Sequence, residues 1–97
     1  MKKLTKEQEA LAQQLEIRLE TLTTGAEWVE PTGDEVQAVI RKVGFTGSET
    51  ASYVGLKAGK TGSGSRTVRR WVSGEKTIPY AAWALLIEAT GLGVIWK

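Results

Sequence analysis

The sequence predicts an all-α fold of five helices, among them an extra N-terminal amphipathic helix, followed by a short C-terminal tail prone to form a strand. Three observations carry that expectation. Capping-box pairs recur at Thr5/Gln8, Thr32/Glu35 and Thr46/Glu49, where a hydroxyl and an acid or amide satisfy the free N–H groups of a helix start. Apolar residues then follow at spacings of three and four. Gly44, Gly55, Ser73-Gly74 and Gly91 fall where those stripes stop.

The first helix is expected over Lys6–Leu22, with Leu4 as the staple residue and Leu11, Leu15, Leu19 and Leu22 as one apolar stripe. Such a stripe docks on the domain or meets a second copy. Thr23 to Gly33 reads as a linker, pinned by Trp28 and Val29. The domain boundary is accordingly drawn between 1–31 and 32–97.

A second helix is expected from Asp34 to about Lys42, burying Val36, Val39, Ile40 and Val43 before Gly44 ends it. A third opens at Thr46, turns Phe45, Ala51 and Val54 inward and stops at Gly55. Residues 56–65 hold Gly59, Gly62 and Gly64 among Lys57, Lys60, Ser63 and Ser65, and read as a flexible basic loop that is costly to order without a ligand. The fourth helix spans about Arg66 to Val72, with Val68 and Trp71 inward and Arg66, Thr67, Arg69 and Arg70 outward. The fifth starts with Pro79 in its first turn and buries Ala82, Trp83, Leu86 and Ile87. The tail Leu92-Gly93-Val94-Ile95-Trp96 is apolar and rich in strand formers. Trp71 and Trp83 lie on apolar stripes and are core residues, while the placing of Trp28 and Trp96 is open.

Composition narrows the function. The 97 residues contain no cysteine and no histidine, which removes disulfides, thiolate metal sites and every histidine-based nucleophile arrangement. No run of about 18 apolar residues is available to span a membrane, and the Met1–Lys3 start does not read as a signal peptide. The chain is therefore expected to be cytoplasmic, without cofactor, metal or membrane association, and not an enzyme. Gly59-Lys60-Thr61 brings a phosphate-binding loop to mind. The spacing fails, however, because Val54 stands where that motif needs glycine, and nucleotide hydrolysis is not expected.

Charge is unevenly spread behind a net +2. Residues 1–35 carry four basic and eight acidic side chains, and the remainder carries nine basic and three acidic. Six of those nine bases are Lys57, Lys60, Arg66, Arg69, Arg70 and Lys76, opposed in that stretch by Glu75 alone. A charge run by itself is more often a solvated face than a site. A basic block on a helix with arginines outward is also the footprint of a nucleic-acid surface.

The segments Gly44-Phe45-Thr46, Glu49-Thr50-Ala51 and Val54-Gly55-Leu56, then Arg66-Thr67-Val68-Arg69-Arg70-Trp71, Ser73-Gly74 and Ile78-Pro79, resemble the phage-repressor, Cro-like helix-turn-helix family of the xenobiotic-response-element type. The resemblance covers Thr32 to Gly91 and implies a lambda-repressor-like helix-turn-helix domain. It also implies that Ala51 lets two helices cross closely and that Val68 and Trp71 underlie a recognition helix. Two departures stand out. The turn after Gly55 is longer than the family's, and Gly47 occupies a position where the family often has glutamine and a phosphate contact.

The resulting expectation is a sequence-specific double-stranded DNA-binding regulator, a homodimeric repressor reading an inverted repeat in the major groove. Ser65, Arg66 and Arg69 are expected at base edges, and Arg70, Lys57, Lys60 and Lys76 at phosphates. Ser63 belongs to the same surface, and Thr67 either faces DNA or bonds backbone within its own turn. The dimer surface is the Leu11–Leu22 stripe or the Leu92–Trp96 tail. The alternative is an antitoxin whose acidic N-terminal helix binds a toxin partner while the helix-turn-helix autoregulates.

Overall fold

The computed structural model describes residues 4–23, 25–56 and 63–93. Among these, every regular element is helical: α1 (Lys6–Gln14), 3-10 turns at Leu19–Leu22 and Gly25–Glu27, α2 (Gly33–Val43), α3 (Gly47–Tyr53), α4 (Ser63–Ser73) and α5 (Tyr80–Ala89).

All three capping boxes form. Thr5, Thr32 and Thr46 each accept from the backbone N–H three residues on, and Gln8, Glu35 and Glu49 return the bond to the cap backbone. Gly44 closes α2 in the left-handed region at φ 85° and Gly74 follows α4 at φ 82°, conformations that glycine adopts without penalty.

The first helix is shorter than its stripe predicts. It ends at Gln14, because Glu16 takes a left-handed conformation at φ 57°. Glu16 N–H then bonds the Gln13 carbonyl and Ile17 N–H the Ala12 carbonyl, a Schellman-type ending. The turn drives Ile17 and Ala12 into the core together and leaves Leu19 42% exposed. The stripe through Leu19 is thus broken, and Leu22 reaches the core from the 3-10 turn instead.

Three further expectations change. Trp28 pins the linker by stacking obliquely on Tyr80 at 5.3 Å between ring centres, whereas Val29 is exposed and pins nothing. α4 begins at Ser63 rather than Arg66, so Gly64 and Ser65 belong to a helix and Gly64 is buried. Pro79 is the residue before α5, with extended backbone at ψ 152°, and not in its first turn. The expectations for the glycine-rich stretch 57–62 and for a strand over 94–97, Trp96 included, lie outside the described residues.

One core gathers Ala12, Ile17 and Leu22 with Val36, Val39, Ile40, Ala51, Val68, Trp71, Ile78, Trp83, Leu86, Ile87 and Leu92. α4 packs against both α2 and α3, and α5 packs against α2 and, less extensively, against α3. The N-terminal segment is tied to this body by polar contacts as well. Gln8 donates to the Leu92 carbonyl at 2.6 Å, and Arg18 reaches the buried Glu35.

Candidate nucleic-acid interface

α4 has a sharply two-sided surface. Val68 and Trp71 are 3% and 4% exposed and anchor one side on the core. Arg66 and Arg69 are exposed three residues apart on the other, with Arg70 half-buried beside them and Ser73 exposed one turn on. Residues at i, i+3, i+4 and i+7 share one helical face, so the three guanidinium groups form a single basic strip. Among the described residues neither Arg66 nor Arg69 is ion-paired.

Arg70 differs from its two neighbours. Its Nε lies 3.6 Å from a carboxylate oxygen of Glu75, a long contact between partly exposed groups. Its carbonyl accepts from Ser73 Oγ and from Lys76 N–H, so the chain folds back past α4 and leaves Lys76 exposed near the end of the strip. Thr67 is half-buried and makes a contact within the protein. Ser63 is the first residue of α4, while Lys57 and Lys60 lie outside the described residues.

Ser65 stands apart from the outer strip. It is half-buried, and its Oγ faces Gly47, where a Cβ would fall 2.9 Å away. The first turns of α3 and α4 therefore abut, and glycine at 47 makes room for that hydroxyl. Further along α3, Ala51 is 1% exposed, and Thr50 is fully buried with its hydroxyl donating to the Thr46 carbonyl.

On α2 the structure gives Glu35 a second partner, Arg18, that sequence spacing did not single out. Glu35 serves the Thr32 capping box and also receives Arg18, through the backbone N–H at 2.7 Å and a guanidinium nitrogen at 2.9 Å. Burial pushes its carboxyl pKa up. The bonds from the Arg18 side chain and backbone and from Thr32, with the Arg18 charge, outweigh burial and leave the pKa below the ordinary value. The bond to Glu35 in turn holds the Arg18 guanidinium above its ordinary value. One signal was available, since Arg18 is the single basic residue between Lys6 and Arg41 in an otherwise acidic stretch.

Among the described residues no group of three or more histidines, cysteines or carboxylates could hold a metal. No described helix is long and apolar enough to cross a membrane. What the strip can do is donate: arginine offers a planar fork of N–H groups suited to phosphates and to guanine edges.

Two Escherichia coli proteins, each named transcriptional repressor protein KorC, are 49% identical to this chain over 81 residues, covering 84% of it and 91% of each relative. The chain belongs to the KorC family of transcriptional repressors. Membership agrees with the expectation that it is not an enzyme, and the names of these KorC proteins give the antitoxin reading no support. No protein-family model and no solved structure matches the chain.

Proposed function

We propose that this KorC relative represses transcription by binding double-stranded DNA in a sequence-specific way, with α3 and α4 acting as a helix-turn-helix of the Cro-like kind. The observation that carries the reading is the exposed Arg66–Arg69 strip on a helix anchored by Val68 and Trp71. In this reading α4 enters the major groove. Arg66 and Arg69 bond base edges, while Arg70, Lys76, Lys57, Lys60 and Ser63 contact phosphates. One short helix reads few bases, so the repressor acts as a homodimer on an inverted repeat. Residues 32–97 form the DNA-binding unit, and 1–31 brace it through the Arg18–Glu35 pair and the Thr21 carbonyl that receives Trp83. The protein works in the cytoplasm and needs no cofactor.

The test is fluorescence anisotropy with DNA from upstream of the chain's own gene against scrambled DNA, at two salt concentrations. Specific binding should exceed scrambled binding by about 10³-fold or more. Equal, strongly salt-dependent binding to both would reduce the reading to phosphate attraction.

A further inference from the structure

α2 and α3 open with the same four-residue pattern, Thr-Gly-x-Glu, at Thr32–Glu35 and Thr46–Glu49. The capping box accounts for the threonine and the glutamate in each. It does not account for the glycine, a weak helix former at a position where nearly any residue is tolerated. Neither Gly33 nor Gly47 has a positive φ, so backbone conformation does not require glycine either.

What requires it is α4. A Cβ on Gly33 would overlap the Val72 carbonyl oxygen and fall 2.9 Å from the carbonyl carbon and 3.0 Å from the Gly74 nitrogen. A Cβ on Gly47 would fall 2.9 Å from Ser65 Oγ. Val72 and Gly74 lie at the C-terminal end of α4, and Ser65 lies in its first turn. The two helix starts therefore meet α4 at opposite ends, each through a missing side chain.

We infer that Gly33 and Gly47 are positioning residues that fix how α4 presents Arg66 and Arg69. The inference rests on the DNA-binding reading above and adds how that site is aimed. The two contacts differ in stiffness. At Gly33 the obstacle is backbone, which no side-chain rotation relieves, so an added methyl group must lever the end of α4 outward. At Gly47 the obstacle is a hydroxyl, so the same methyl group gives a smaller displacement that removing the hydroxyl cancels. Base contacts need matched geometry and phosphate contacts much less, so displacement acts on discrimination and spares general attraction.

The experiment measures the ratio of own-upstream to scrambled DNA affinity, the salt slope and the melting temperature for the wild type, Gly33→Ala, Gly47→Ala, Ser65→Ala and the Gly47→Ala/Ser65→Ala double variant. Gly33→Ala should lower the ratio roughly tenfold, the worth of one good base contact, with the salt slope unchanged. Gly47→Ala should lower it less, and should lower it no further in a chain already carrying Ser65→Ala. A folded Gly33→Ala with the wild-type ratio overturns the inference. If that variant fails to fold, Gly47→Ala decides: an unchanged ratio, or an equal fall in the Ser65→Ala background, overturns it. A wild type that does not discriminate between the two DNAs removes the repressor reading, and this inference with it.

Discussion

Trp83 donates its indole N–H to the carbonyl oxygen of Thr21 at 2.8 Å across the core, and Trp28 donates to the same oxygen at 2.9 Å. One carbonyl in the 3-10 turn thus satisfies two indoles, one buried and one half-buried, and uses both of its lone pairs. Replacing Trp83 with phenylalanine removes a bond from a fully buried site, and urea unfolding should show a loss of about 1–3 kcal/mol. Trp28→Phe should cost less than Trp83→Phe, because the Thr21 carbonyl then keeps its buried partner. Equal losses would mean that ring volume, and not the shared acceptor, sets the effect.

Glu35 makes stability depend on pH with a definite sign. Its carboxyl is held below the ordinary value in the folded state, so the stabilisation is full above the unfolded value of about 4.3 and fades as pH falls through the lower folded value. Glu35→Gln keeps the carbonyl that serves the Thr32 cap and loses the charge facing Arg18. The variant should be about 1–3 kcal/mol less stable at pH 7. The gap should narrow as pH falls below the ordinary carboxyl range, read by thermal melts at stepped pH; a gap independent of pH would contradict the ionic role.

Arg69→Ala should weaken binding to the operator by about 1–3 kcal/mol and relax its specificity, while binding to scrambled DNA changes little. Arg66→Ala should act in the same direction. Competition anisotropy with both DNAs at one salt concentration reads the difference, and equal losses on both would assign these arginines to phosphates.

In the proposed DNA-binding mode, the Arg70–Glu75 contact should oppose general attraction to DNA, since Glu75 is the single acid within the basic block. Glu75→Gln should tighten binding to operator and scrambled DNA alike and steepen the salt dependence. An exposed ion pair contributes little to stability, about 0–1 kcal/mol, so the melting temperature should hardly move. Weaker binding would mean that Glu75 orients Arg70 for contact.

If the repressor is the homodimer proposed above, its tail can be tested apart from the fold by cutting after Gly93. Leu92 is 3% exposed and its carbonyl accepts from Gln8, so a cut before it would damage the core. Deleting residues 94–97 should yield a folded monomer by light scattering if the tail pairs across a two-fold axis. An intact dimer would move the interface elsewhere.

The sequence announced most of the fold where the information is local. Capping boxes, Gly44 and the inward Val68 and Trp71 involve residues a few positions apart, and spacing alone reveals them. It failed where distant groups decide. Nothing in Glu16 signals a left-handed turn, yet burying Ile17 requires one. Ser63-Gly64-Ser65 reads as loop by propensity, and becomes helix because Gly64 is buried and Ser65 packs against Gly47. The basic strip was legible as a charge cluster at helical spacing. The pairing of Arg70 with Glu75 and that of Arg18 with Glu35, 17 residues apart, were not.

The hydrogen bond from Gln8 to Leu92 spans 84 residues of chain. Contacts of such separation carry the largest loop-closure entropy and form after the short-range ones have shrunk the loop. The contacts among α2, α3 and α4 are close in sequence and can assemble early. α1 is therefore expected to join a body already folded and to be the first element released on the way out. Amide exchange should record that order, with Ala12 and Leu15 exchanging through a partial opening that leaves the amides of Val39 and Trp71 protected.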